Sequence, residues 1–307
     1  MPFTFLPHQA PLLPLVGRER RWDAVALVAG SVAPDLFYVT NGWGYGPLGM
    51  YMWFDGHAVR NQFWVVALAV ALTVVVRRIV MPVLPLALPD VGGLGLRQYA
   101  AAARHRYPWW ITWGSAAVGA ASHLVLDSFT HSNGAVVKAF TPLQTKVFEL
   151  AGHGVSAAGV LQYGGSVVGV VVAGIMLRRL AADGTIARGE RVPDARLRPV
   201  GAGLLWGSVV MGVVVGVTYG WSRKTWHTLD LHRRSSSFSV MIMAFCWVAF
   251  AGVVLGCLLA RRAGVTSPDR STPAGAVVPS RSSYRDRDPA SRSSRGPEGT
   301  AARPPSG

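Results

Sequence analysis

The sequence predicts an all-α protein, a polytopic transmembrane helical bundle of about five to six spans that ends in a disordered C-terminal tail. Three observations carry this expectation. Half of the 307 residues are hydrophobic and only 15% are charged, against about a quarter charged in soluble domains. Several stretches stay apolar over the roughly 20 residues that a helix needs to cross a bilayer. The arginines gather at the ends of those stretches, as the positive-inside rule expects of cytoplasmic junctions.

The opening, MPFTFLPHQAPLLPLVGRERR, has no basic region ahead of its apolar part, is interrupted by prolines and shows no small-residue cleavage signal. It is expected to be retained rather than removed as a signal peptide. The run at 22–39 is weaker than the others because it carries Asp35. The next starts at Phe63 and reads FWVVALAVALTVVV before Arg77 and Arg78, which are expected to snorkel to the interface. Residues 109–129 are apolar apart from His123 and Asp127. Three runs without charge follow, at 155–177, 199–221 and 239–260. Gly165 with Gly169, Gly203 with Gly207, Gly212 with Gly216 and Gly220, and the GSAAVGAAS segment before His123 supply small-residue faces, which let helices approach closely in lipid. Cys246 and Cys257 lie in one apolar run and read as small buried hydrophobes rather than a disulfide framework or metal site.

Lys and Arg number 30 against 15 Asp and Glu. Their place at the edges of apolar runs suits the cytoplasmic face of a bilayer better than a nucleic-acid groove, and no nucleic-acid-binding motif is present. The expected partner is therefore membrane lipid. Arg77 and Arg78, Arg104 and Arg106, Arg178 and Arg179, Arg196 and Arg198, and Arg261 and Arg262 all fall on one side if the spans alternate. This predicts a multi-pass protein of the cell membrane with a cytoplasmic C-terminus. The loop 221–238 stands against the rule, because Arg223, Lys224, Arg233 and Arg234 would lie outside. From Gly264 the chain turns to Pro, Ser, Gly and Arg and cannot bury enough surface to offset chain entropy. The expected domains are thus a transmembrane helical domain at 1–263 and a tail at 264–307.

The chemistry concentrates in SHLVLDSFTH, residues 122–131. Residues four apart share a helical face, so His123 and Asp127 point one way, and His131 continues the row if the helix persists. Ionisable groups at membrane depth are costly and mostly functional. Imidazole with carboxylate suits Zn, Fe or Mn; the same pair can also be a hydrogen-bonded pin between helices. Asp35 follows a proline in GSVAPDLFY, and His8 opens the first apolar stretch. A hairpin folded near residue 19 would bring His8 and Asp35 to one level. Alternating spans put Asp35, Asp127, His131 and His57 on the same side. His153 shares that side without an acidic partner at helical spacing, while His105, His227 and His232 are expected at the interface.

The segments MPFTF…H, GSVAPD, SHLVLDSFTH and LQYGGSVVG (161–169), in this order, resemble a family of bacterial membrane proteins, domain of unknown function 4184, over roughly residues 1–260. More distantly the pattern is similar to membrane-bound metal-dependent hydrolases related to zinc-dependent phospholipase C. That resemblance implies ligand roles for His8, for Asp35 after Pro34, and for His123 with Asp127. Its third segment, which carries two histidines, is matched only in part by GHAVRNQ, which offers His57 and Arg60 but lacks the second histidine. Two functions follow. One is a metal-dependent hydrolase of a lipid or phosphoester, with His8, Asp35, His123 and Asp127 holding one or two divalent ions such as Zn, and His131 or His57 as further ligands. The other is a non-catalytic channel, transporter or assembly component with a structural His/Asp network.

Overall fold

A computed structural model of the chain describes residues 7–17, 21–37, 56–150, 153–222 and 231–266. A 3-10 segment, Pro7–Leu12, leads into the short helix α1 (Leu13–Gly17). There follow α2 (Ala24–Leu36), α3 (Gln62–Val75), α4 (Leu84–Ala87), α5 (Leu96–Ala102) and α6 (Trp109–Thr130). The remaining helices are α7 (Ala135–Ala139), α8 (Ala157–Ala182), α9 (Pro199–Ser222) and α10 (Leu231–Ala263). Among the described residues, strands are confined to two antiparallel pairs: β1 (Lys146–Leu150) with β2 (His153–Ser156), and β3 (Arg196–Leu197) with β4 (Val265–Thr266).

Four helical stretches are long and apolar enough to cross a membrane: Val59–Val80, Ala157–Ala182, Pro199–Thr218 and Phe245–Ala263. On α8, Val167, Val168 and Val171 are all exposed, so this helix is apolar outside as well as in, which suits lipid rather than water. α6 has the length of a span, 22 residues, but is less apolar because of its Gly, Ser, Trp, His and Asp. α2 has 13 residues, about 20 Å, short of a hydrocarbon core of about 30 Å.

The helices alternate in direction. α2 and α6 run parallel: Thr112 and Ser115 meet Asp23 at one end, and His123 meets Ser31 towards the other. They touch backbone to backbone. A Cβ on Gly30 would lie 2.1 Å from the Ala116 carbonyl oxygen, and one on Gly119 2.2 Å from that of Leu27, so only glycine permits this crossing. Ala26, Ala33, Val65, Ala69, Ala116 and Ala120 fill the seam shared with α3. α3 runs the opposite way, with His57 before its start near Asp127 and Arg77 beyond its end near Asp23. α9 and α10 form an antiparallel pair whose seam includes Gly212 and Gly216. Gly165, Gly203 and Gly207 meet nothing within 4 Å among the described residues, so these expected packing faces look outward instead.

Arg77 does not snorkel. It lies in a π-helical turn, Val76–Val80, and pairs with Asp23, which is fully buried. Asp23 caps α2, its Oδ1 accepting from the N–H groups of Val25 at 3.1 Å and Ala26 at 3.2 Å, while Thr112 donates to Oδ2 at 2.8 Å. A buried carboxylate is tolerable only with such a full set of donors. This knot ties α2, α3 and α6 at the end where Arg78, Arg104 and Arg106 gather.

Val265 and Thr266 pair with Leu197 and Arg196, so the packed chain continues past Gly264. The expected tail from 267 onward, residues 18–20 where the hairpin is expected to turn, and the loop 223–230 lie outside the described residues. Arg233 and Arg234 belong to α10, well before Phe245 where its membrane-length portion starts.

Candidate metal centre

All six expected ligands come together at the end of the bundle opposite Asp23. Asp35 stands in the last turn of α2, buried. His123 and Asp127 are one turn apart on the inner face of α6, and His131 caps its C-terminus, its N–H donating to the Asp127 carbonyl at 3.1 Å. His8 rides on the 3-10 segment, which α8 receives at Gly169. A Cβ there would lie 2.8 Å from Pro7 Cα. His57 precedes α3 in a turn held by the Gln62 side-chain amide, which donates to the carbonyls of Gly56 at 2.8 Å and Ala58 at 3.2 Å.

Four of the six form a compact set. His57 Nε2 lies 3.2 Å from His123 Nε2, 3.2 Å from Asp127 Oδ2 and 3.4 Å from Asp35 Oδ1. His123 Nε2 lies 3.3 Å from Asp127 Oδ2 and 3.5 Å from Asp35 Oδ1. The ligand atoms of these four residues all fall within 4.8 Å of one another. A regular tetrahedron of ligands about 2.0–2.1 Å from a zinc ion has edges of roughly 3.3–3.4 Å. Five of the six edges here match that length, so the group can hold a metal ion.

The tautomers agree with this use. The Ser31 carbonyl can only accept, and it lies 2.7 Å from His123 Nδ1. His123 therefore carries a proton on Nδ1, which leaves the Nε2 lone pair facing the cluster in the neutral ring. Metal-bound histidines are oriented by a second hydrogen bond of this kind. Two imidazole nitrogens facing two carboxylate oxygens at such distances require a cation or a proton between them. Without a metal, the two carboxylates favour protonation of the imidazoles that face them, His57 among them. Burial lowers the pKa of His57, but the carboxylates of Asp127 and Asp35 outweigh this and raise it to about 9.

His8 and His131 stand beside the other oxygen of Asp127. His8 Nε2 lies 3.5 Å and His131 Nδ1 3.3 Å from Asp127 Oδ1, which is buried and accepts no well-aligned hydrogen bond. His8 Nδ1 also lies 2.8 Å from His123 Nδ1. Burial, followed by the charge of His123, pushes the His8 pKa down to about 4. Gln162 reaches His131 Nε2 at 3.4 Å. The side chains of His57 and His131 are 22% and 23% exposed while that of His123 is fully buried, so access to the cluster is from their side.

Two groups escaped the sequence reading. Gln162 sits inside the LQYGGSVVG segment but was not singled out as a partner of His131. Asp23 was missed altogether, although an Asp immediately before an apolar helical run is a recognisable N-cap. His105 lies among Arg77, Arg104 and Arg106 at the far end. The side chains of His153 and His232, and all of His227, lie outside the described residues.

No curated protein and no solved structure matches the chain. The sequence profile of one family matches residues 1–261, which include all six residues of the cluster. The chain belongs to the family described as Domain of unknown function (DUF4184).

Proposed function

We propose that this protein is a membrane metalloprotein that binds one divalent cation, with Zn the best fit, through Asp35, His57, His123 and Asp127. The observation that carries this is the set of 3.2–3.5 Å separations among the four ligand atoms. We infer further that the centre hydrolyses a lipid or another phosphoester or acyl ester at the outer membrane surface. When bound, a divalent cation supplies Lewis acidity and lowers the pKa of water to about 7. His8 and His131 orient Asp127 from behind, and the exposed edges of His57 and His131 admit substrate. The arginine-rich end of the bundle faces the cytoplasm under the positive-inside rule, which puts the C-terminus inside and the metal centre outside.

The test is metal analysis of detergent-purified protein beside Asp127→Ala and Asp35→Ala variants, followed by phosphoester and acyl-ester cleavage assays with metal added. One metal per chain in the wild type and none in the variants supports the site. Cleavage by the wild type alone supports the hydrolase. The second reading, a structural network without catalysis, is favoured by the contacts of His123 with His8 and Ser31, which pin three segments together. A metal-free protein whose variants lose only stability would establish it.

A further inference from the structure

Between α2 and α10 the bundle keeps an apolar cavity of about 560 Å³. Val25, Val28, Val32 and Leu36 form its α2 wall, on the face of that helix turned away from α6, and Trp247 and Phe250 line it from α10. The wall from Ala24 to Leu36 is roughly 18 Å long. Trp247 Nε1 donates to the Leu36 carbonyl at 3.1 Å near the metal-centre end. At the opposite end the lining changes to Arg77, His105, Tyr107 and Arg188. Arg188 stacks on Tyr107, 5.7 Å from the ring centroid, and donates to the carbonyls of Val16 at 3.5 Å and Trp22 at 3.3 Å.

A second cavity of about 370 Å³ is also lined by Arg77, His105 and Tyr107. Its other polar lining includes Arg78, Arg104 and Arg106, and no Asp or Glu lines it among the described residues. Arg77 is neutralised by Asp23, and Arg104 reaches a backbone carbonyl, that of Arg191, at 3.4 Å. An apolar slot thus adjoins a pocket whose positive charge no lining carboxylate balances.

We propose that these two cavities form one binding site for an anionic phospholipid of the surrounding bilayer. One acyl chain lies between α2 and α10, and the phosphate lies among Arg78, Arg104 and Arg106. The slot suits a hydrocarbon chain because its lining is almost wholly apolar, and an apolar chain lying in it would restore the dispersion contacts that its walls otherwise lack. The basic pocket suits an acidic headgroup because arginine pockets between membrane helices on the positively charged side bind such groups. The headgroup pocket is at the opposite end of α2 from the metal centre, and lipid binding does not depend on catalysis there.

The experiment compares the full chain, delipidated in mild detergent, after addition of phosphatidylglycerol, phosphatidylcholine or inorganic phosphate. The readouts are the thermal midpoint and the phospholipid retained in native mass spectrometry. Phosphatidylglycerol should raise the midpoint and remain bound, phosphatidylcholine should do so less, and phosphate alone should do neither. Replacing Arg78, Arg104 and Arg106 together by Gln should lower phosphatidylglycerol affinity on the order of 100-fold. The arginine-rich tail is common to both proteins, so the difference reports on the pocket. A Val32→Phe variant, which fills the slot and leaves every charge in place, should also release the lipid. Equal effects of the two lipids, stabilisation by phosphate alone, or an undiminished phosphatidylglycerol effect in both variants would overturn the proposal.

Discussion

Asp127 serves two directions with one carboxylate. Oδ2 faces His57 and His123, and Oδ1 faces His8 and His131. The two oxygens predict different mutant behaviour. Asp127→Asn keeps the shape and removes the charge, so bound metal should fall to background in elemental analysis. His131→Ala leaves the four-ligand set intact, so the protein should still bind metal with an affinity lowered by about 10–100-fold, measurable by competition with a chelator. Loss of all metal in His131→Ala would make His131 a direct ligand. The other buried carboxylate, Asp23, is structural. Asp23→Ala leaves Arg77 without its partner and should destabilise the protein by about 3–5 kcal/mol. The Asp23→Leu/Arg77→Met double variant should recover part of that loss, and a double variant as unstable as the sum of its singles would deny the pairing.

At the scale of elements, the crossing of α2 and α6 decides whether a site exists. Asp35 reaches His123 because Gly30 and Gly119 let two backbones touch. Gly119→Ala places its Cβ 2.2 Å from the Leu27 carbonyl oxygen. Relief requires the helices to part, at a cost of about 1–3 kcal/mol, and parting them moves Asp35 away from His123. The variant should therefore lose thermal stability and metal together. Gly203→Ala, with open space around it, should change neither, and serves as the control. Helical periodicity made the His123–Asp127–His131 row legible, because residues one turn apart are neighbours on any helix. It could not distinguish Gly119 from Gly203. Both stand in small-residue patterns, and only the partner helix tells which one meets a carbonyl.

For the molecule as a whole, the alternating helices gather most of the described arginines at one end and the His/Asp cluster at the other. A protein whose four apolar helices cross the bilayer should stay in the membrane fraction through carbonate extraction, and release by carbonate would contradict membrane insertion. A C-terminal reporter should be active only in the cytoplasm if the arginine-rich end lies inside. A chain cut after Thr266 should keep its thermal midpoint in detergent. A cut at Arg262 removes the strand that pairs with Arg196 and Leu197 and should lower it.

Helices long and apolar enough to cross a membrane, the helical class and the His and Asp residues of the cluster were determined by the sequence alone, because hydropathy and helical spacing involve only neighbours in the chain. The tertiary structure alone decided which atoms meet. His8 and His123 are 115 positions apart, and Arg77 and Asp23 are 54 apart. The first contact depends on Pro7 docking at Gly169, and the second on a π-helical turn that brings Arg77 to Asp23. Such convergence follows from where backbones can approach, a property of pairs of helices that no single stretch of residues encodes.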